Sequence, residues 1–317
     1  MFYIGIDVGG TSVKAGVVDE KGRILHKVSC PTLVERGHEA VIHDMAQLTI
    51  RAIDECGCSM DQVHSIGIGI PGMHDNRTRR VPFCTNLNWH DVPLIDLMQR
   101  EIDKPVYVNN DATVAGLAES VAGISAGAKS SVFVTLGTGV GGGVILDGKV
   151  FMGDHGVATE IGHMITVAGG EMCTCGNRGC WERYASATAI IREGRRFAQA
   201  NPNSPLSKAV DGDLEKIEAR TVIDLAKAGD PDCVKLFDDY VYHLTVGIVN
   251  LINMYDPEII ALGGGVSHAG AFLLDKVNAL LPRMIFFKSM PHAEIKLAQL
   301  GNDAGIIGAA MLGTQEV

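Results

Sequence analysis

Three cysteines fall within eight residues of the chain, Cys173, Cys175 and Cys180 in the stretch CTCGNRGCWE, and His163 lies ten residues before the first. Three thiolates make an incomplete tetrahedral set. An imidazole completes it as Cys₃His, a closed arrangement with no water position, which suits a structural zinc ion. Gly176 and Gly179 permit the sharp turns that such close cysteine spacing demands. A lone histidine is more often a buried residue bonded to backbone, but here three thiols need a fourth partner. The carboxylates Glu160 and Glu182 flank the segment at its two ends.

A second chemistry is carried by glycines. DVGGTSVK lacks the G-x-x-x-x-G-K-[ST] spacing of a P-loop, and the strand that follows it argues against a dinucleotide turn. Gly9 and Gly10 still let backbone N–H groups approach phosphate oxygens, and the Thr11 hydroxyl adds a donor. Asp7, at the strand end, suits a hydrated Mg²⁺, and Lys14 closes the stretch. Gly137-Thr138-Gly139 offers the same pattern, and Gly263-Gly264-Gly265 could flank a base. One such run is usually a turn. Three, each after an apolar strand, point to a nucleotide. Asp111 in YVNNDATVAG stands where a strand gives way to a helix, the place where α/β proteins put reactive groups and also a favoured place for a capping aspartate.

The elements that hold these residues follow from pattern. Phe2 to Leu25 reads as a strand ending in Asp7, a glycine turn, a second strand over Val13 to Val18 and a turn at Asp19 to Gly22. Val132 to Phe151 repeats the scheme about 127 residues later. The repetition predicts two facing α/β domains. Apolar residues at Val41, Met45, Leu48 and Ala52 predict a helix over His38 to Cys56. A longer helix is expected from Asp230-Pro231 to about Met254, then a strand over Glu258 to Leu262. NPNSP, residues 201–205, reads as an exposed loop.

The 317 residues carry a formal net charge of −10, which repels phosphate backbones and makes nucleic acid a poor partner. No apolar run is long enough to span a bilayer, and no signal peptide precedes the first strand, so a cytoplasmic protein is expected. Reduced thiols in that compartment favour metal binding or catalysis over disulfides. Cys30, Cys56, Cys58, Cys84 and Cys233 are scattered and read as inert.

The motifs DVGGTSVK, GIPG, TNLNW, NNDA, LGTGVGGG, EIGH, CTCGNRGCWE, LGGGV and NDAGIIGAA together resemble the ROK family of sugar kinases, within the actin, Hsp70 and hexokinase ATPase superfamily. EIGH combined with C-x-C-G-x-x-G-C-x-E is the specific part. The resemblance implies an α/β two-domain actin/hexokinase-like ATPase (ribonuclease H-like) fold with duplicated domains and an interdomain cleft. It places an N-terminal domain over 1–116, a larger zinc-bearing domain over 117–301, and a C-terminal helix over about 302–317 packing back on the first. It implies an ATP:hexose 6-phosphotransferase, most like a bacterial glucokinase, working with ATP, Mg²⁺ and structural Zn²⁺. Asp111 would be the catalytic base. Gly72, Asn110, Glu160, His163 and Glu182 would contact the hexose, with Asn86 a turn former. A homodimer is the family expectation.

N-acetylmannosamine kinase, allose kinase and fructokinase share these motifs, so the sugar stays open. A sugar-sensing ROK transcriptional regulator needs an N-terminal DNA-binding domain, for which Asp7 leaves no room. A non-enzymatic zinc module leaves Asp111 and the duplicated turns unexplained. One departure stands out: the family shows G-E-x-G-H where this chain has Thr159 before Glu160. If that position needs φ > 0 or close backbone approach, Thr159 reshapes the pocket.

Overall fold

The computed structural model describes residues 1–156 and 158–315; residues 157, 316 and 317, which the expected domains include, lie outside the described residues. In chain order the elements begin with β1 (Phe2–Val8), β2 (Ser12–Asp19), β3 (Ile24–Pro31), α1 (His38–Cys56), β4 (Val63–Ile70), β5 (Met73–Asp75), β6 (Arg80–Cys84) and β7 (Trp89–Val92). Next come α2 (Leu94–Glu101), β8 (Val106–Asn110), α3 (Asp111–Ala122), β9 (Ser130–Leu136), β10 (Val140–Leu146) and β11 (Lys149–Val150). The remainder is α4 (Glu182–Ala185), α5 (Ala187–Ala200), α6 (Pro205–Lys208), α7 (Ala219–Lys227), α8 (Pro231–Tyr255), β12 (Ile259–Gly263), α9 (Ala271–Met284), β13 (Glu294–Leu297) and α10 (Ala304–Met311).

Two five-stranded sheets share one plan. The first has the order β3-β2-β1-β4-β8 and the second β11-β10-β9-β12-β13, while β5, β6 and β7 form a small antiparallel sheet. In the first, β2 is antiparallel to β1 and β3, whereas β4 and β8 run parallel to β1. The duplicated α/β architecture expected from the repeated strand–turn–strand pattern is therefore present.

The chain divides into two compact units. Unit 1 comprises Met1–Phe133, Gly143–Thr159 and Gln299–Val317; unit 2 comprises Val134–Gly142 and Glu160–Ala298. Within unit 1, side chains of β1 alternate between two cores, as a pleated strand covered on both faces requires. Ile4, Ile6 and Val8 join the core built on α1 and α2, and Tyr3 joins the one built on α3 and α10. Gly5 and Gly67 are paired across β1 and β4. A Cβ at either would collide with the α10 backbone, at Ile306 and Ala309 respectively, so the two glycines let that helix lie against the sheet.

Glu119, on α3, is 1% exposed, and its carboxylate accepts N–H groups from Ile124 at 2.8 Å and from Gln299 and Leu300, each at 2.9 Å. Three amide donors offset the cost of burying the charge. The contact ties α3 to the segment from which the chain enters α10.

In unit 2, Trp181 is fully buried against Gly247 of α8 and donates its indole N–H to the His243 carbonyl at 2.9 Å. Helix α8 starts on an Asp230 cap with Pro231 in its first turn, as expected, and ends with Asp256 in the left-handed region. NPNSP contributes the capping Ser204 and the first residue, Pro205, of the short α6.

Candidate functional site

The residues singled out by sequence separate into two sets, one in each unit. In unit 1 the turn between β1 and β2 carries Gly9, Gly10 and Thr11, with Gly10 and Thr11 exposed. Gly9 N donates to the Ser12 carbonyl at 2.9 Å, closing the turn. Asp7 and Lys14 face each other across the hairpin register, and the ammonium lies 3.3 Å from the carboxylate. Asp7 also borders the start of α10, where a Cβ on Gly305 would come within 2.6 Å of its carboxyl carbon.

The turn has a support that sequence did not suggest. Thr32, just beyond β3, is 1% exposed; its hydroxyl donates to the Gly9 carbonyl at 2.6 Å and its N–H to the Thr11 carbonyl at 3.2 Å. One buried threonine thus holds two carbonyls of the glycine turn from behind. Only the pairing of β2 with β3 brings it there.

Asp111 is exposed in the first turn of α3, at the carboxyl end of β8. The helix cap is Asn110, not Asp111: Asn110 Oδ1 accepts from Ala112 N at 2.9 Å. Asp111 Oδ1 shares that N–H at 2.7 Å. The Asn110 amide also donates to the Gly72 carbonyl at 3.3 Å, joining the GIPG turn to the strand end. Cys84 lies beneath, its thiol donating to the Pro71 carbonyl at 3.3 Å. Burial first, and also the negative charge of Asp111, hold that thiol above its ordinary pKa. Asn86 is exposed in a single 3-10 turn, and its carbonyl sits 3.5 Å from where a Gly10 Cβ would be.

In unit 2, Gly137, Thr138 and Gly139 form the turn between β9 and β10. Glu182, at the start of α4, reaches this turn: its Oε2 accepts from Val140 N at 3.3 Å. A Cβ on Gly139 would collide with that oxygen, so a larger residue there would displace the Glu182 carboxylate from the turn. Gly263, Gly264 and Gly265 follow as the end of β12 and the start of a 3-10 turn. Glu160 is exposed immediately before the 3-10 turn holding His163.

His163 and the three cysteines converge. Ile165 bridges Cys180 and Trp181 N donates to the Met164 carbonyl at 2.7 Å, which brings the two segments side by side. The Cys173 sulfur is 3.7 Å from His163 Nδ1, and the Cys175 and Cys180 sulfurs are 3.6 Å apart. All four donor atoms lie within 4.8 Å of one another. Zinc bonded to sulfur at about 2.3 Å separates tetrahedral ligands by about 3.8 Å, so the spacing fits. Burial, with hydrogen bonds among the thiols, pushes Cys180 up to about 12, whereas backbone donation from Asn177 leads the effects that lower Cys175 to about 7. A dication relieves this crowding of thiols. Glu182 Oε1 is 3.7 Å from the Cys173 sulfur, so one carboxylate spans the cluster and the glycine turn.

Thr159 adopts φ 77°, a left-handed conformation that a β-branched residue rarely takes. The condition attached to this departure, a position needing φ > 0, is met.

A model of the ROK family matches residues 3–316. The chain is 37% identical over 313 residues to a glucokinase of Thermotoga maritima, covering 98% of this chain and 96% of that one. A ROK family glucokinase from Streptomyces griseus, crystallised in complex with glucose and AMPPNP, is similar with a TM-score of 0.81 and 36% identity, covering all of both chains. A ROK hexokinase from Thermus thermophilus gives a TM-score of 0.85 at 32% identity, covering 98% of this chain and 97% of that one.

Proposed function

Because the chain belongs to the ROK family, we propose that it is a glucokinase, transferring the γ-phosphate of ATP to the 6-hydroxyl of glucose. The observation that carries the chemistry is the Asp111 carboxylate, exposed at the end of β8 while Asn110 takes the capping role. As the sugar oxygen bonds to the γ-phosphorus, the bond to the β,γ-bridging oxygen breaks and ADP leaves. The hydroxyl proton passes to Asp111. Such transition states are loose, so positioning and charge neutralisation matter most, and one carboxylate suffices as base.

Gly9 and Gly137 spend their own N–H groups closing the turns; the other N–H groups of residues 9–11 and 137–139 would meet phosphate oxygens, and residues 263–265 would border the nucleotide base. Lys14 adds a cation beside them. Asp7 would hold Mg²⁺, which supplies charge neutralisation when bound. Asn110, Glu160, His163, Glu182 and the Gly72 backbone would hold the sugar hydroxyls; carboxylates accept in pairs and suit such a ligand.

His163, Cys173, Cys175 and Cys180 would hold zinc, which supplies a fixed geometry to this loop when bound. With Nδ1, the nitrogen facing Cys173, given to the metal, His163 would keep its proton on Nε2 and offer an oriented donor to a sugar oxygen. The enzyme is read as a cytoplasmic homodimer; no described helix is long and apolar enough to cross a membrane.

The strained Thr159 directly before Glu160 is where this chain departs from the family pattern beside the sugar residues. N-acetylmannosamine, allose, mannose and fructose are therefore the competitors to run beside glucose in an assay coupled to ADP release. Fastest turnover of glucose supports the reading. A faster competitor reassigns the sugar, and no turnover on any of them ends the kinase reading.

A further inference from the structure

Cys56 and Cys58 look scattered and inert in the sequence, but the fold brings them together. Cys56 is the last residue of α1, Gly57 follows with φ 72°, and Cys58 turns back beside the helix end. Gly57 N donates to Asp54 O at 3.0 Å and Cys58 N to Ile53 O at 3.1 Å, fixing this reversal. The Cys58 thiol meets the Cys56 sulfur at 3.4 Å. Both cysteines are half-buried, packed against the α1 core yet not sealed from solvent. Neither belongs to the Cys₃His cluster.

From this juxtaposition we propose that Cys56 and Cys58 are a reversible dithiol–disulfide pair, oxidised by low-molecular-weight disulfides. A disulfide needs its sulfurs about 2.05 Å apart, so closure from 3.4 Å draws the two together by less than one S–S bond length. The ring spans only Gly57. Such a short, partly exposed link gains little from chain entropy and belongs with the labile, easily reduced disulfides rather than the structural ones.

The exchange balances without any further reagent. The Cys58 sulfur attacks one sulfur of the external disulfide; that S–S bond breaks, and the first small thiol departs with the Cys58 proton. The Cys56 sulfur then attacks the Cys58 sulfur, expelling the second small thiol, which takes the Cys56 proton. Two protein thiols are oxidised and one disulfide is reduced to two thiols. Burial first, and then the neighbouring Cys58, push Cys56 up to about 11, in keeping with Cys56, held at the end of α1, taking the second step.

The test is incubation of the whole protein with graded ratios of oxidised to reduced glutathione, followed by alkylation and peptide mass mapping. The expected result is a peptide holding residues 56 and 58 that has lost the mass of two hydrogens, recovers them with dithiothreitol, and reaches half-conversion at one reproducible ratio. Cys56→Ser should arrest the reaction as a single glutathione adduct on Cys58. Separate adducts on both residues, two free thiols throughout, or an adduct-free Cys56→Ser protein would each overturn the proposal. The alkylation pattern of Cys173, Cys175 and Cys180 in the same digest separates this event from damage to the Cys₃His cluster.

Discussion

The Thr32 hydroxyl meets the Gly9 carbonyl at 2.6 Å from a side chain that is 1% exposed, and the same residue's N–H holds Thr11. Two carbonyls of the glycine turn are thereby held by one buried residue. Thr32→Val keeps the shape and removes the donor, so the part-buried Gly9 carbonyl loses this hydrogen bond at a cost of about 1 kcal/mol. The expected result is about a five-fold rise in KM for ATP with KM for glucose unchanged, since about 1.4 kcal/mol corresponds to ten-fold. Thr32→Ser should restore the wild-type value; equal ATP kinetics in Val and wild type would deny the turn this support.

Thr159 carries a left-handed backbone at φ 77° that costs a β-branched residue roughly 1–3 kcal/mol. Thr159→Gly should therefore raise stability by about 1 kcal/mol after the added freedom of the unfolded chain is subtracted. The urea midpoint measures it. A lowered midpoint would mean that contacts of the threonine outweigh its strain.

The Cys₃His cluster predicts metal content directly. Native protein should carry about one zinc per chain, and Cys175→Ala should lose it together with glucose affinity. Metal analysis finding none in active protein would remove zinc from the account. Chelation should loosen the loop locally, read as faster amide exchange around residues 163–182.

His74 is 5% exposed, and burial lowers its pKa; the nearby charges are Asp75, which opposes the shift, and Arg79, which adds to it. The folded state then favours neutral imidazole, so the unfolded state binds more protons below about pH 6.5 and stability falls as pH falls through that range. His243, also lowered by burial, acts in the same direction. Unfolding free energy measured from pH 7.5 to 5.5 should decline less steeply in His74→Gln than in wild type. Parallel curves would contradict this.

Much of the fold was legible because its signals are local. Strand–turn–strand alternation gave the two hairpins, 3.6-residue spacing gave α1 and α8, and cysteine spacing gave the Cys₃His set. The missed residues act across the fold. Thr32 meets Gly9 across 23 positions, and Glu119 meets Gln299 across 180; each is an ordinary polar residue until strand pairing or helix packing supplies its partner. Trp181 stands within the metal motif, yet its buried contact with α8 seats that motif in unit 2. A capping aspartate and a reactive one look alike in NNDA, and only the hydrogen bond from Ala112 to Asn110 assigns the cap.

The central claim is that Asp111 accepts the proton of the attacking hydroxyl. Its most direct test is kcat for ADP release with glucose in Asp111→Asn, with glucose binding measured separately by calorimetry. The account predicts a fall of at least about 100-fold in kcat, with glucose affinity within a few-fold of wild type. Turnover near the wild-type rate would contradict it.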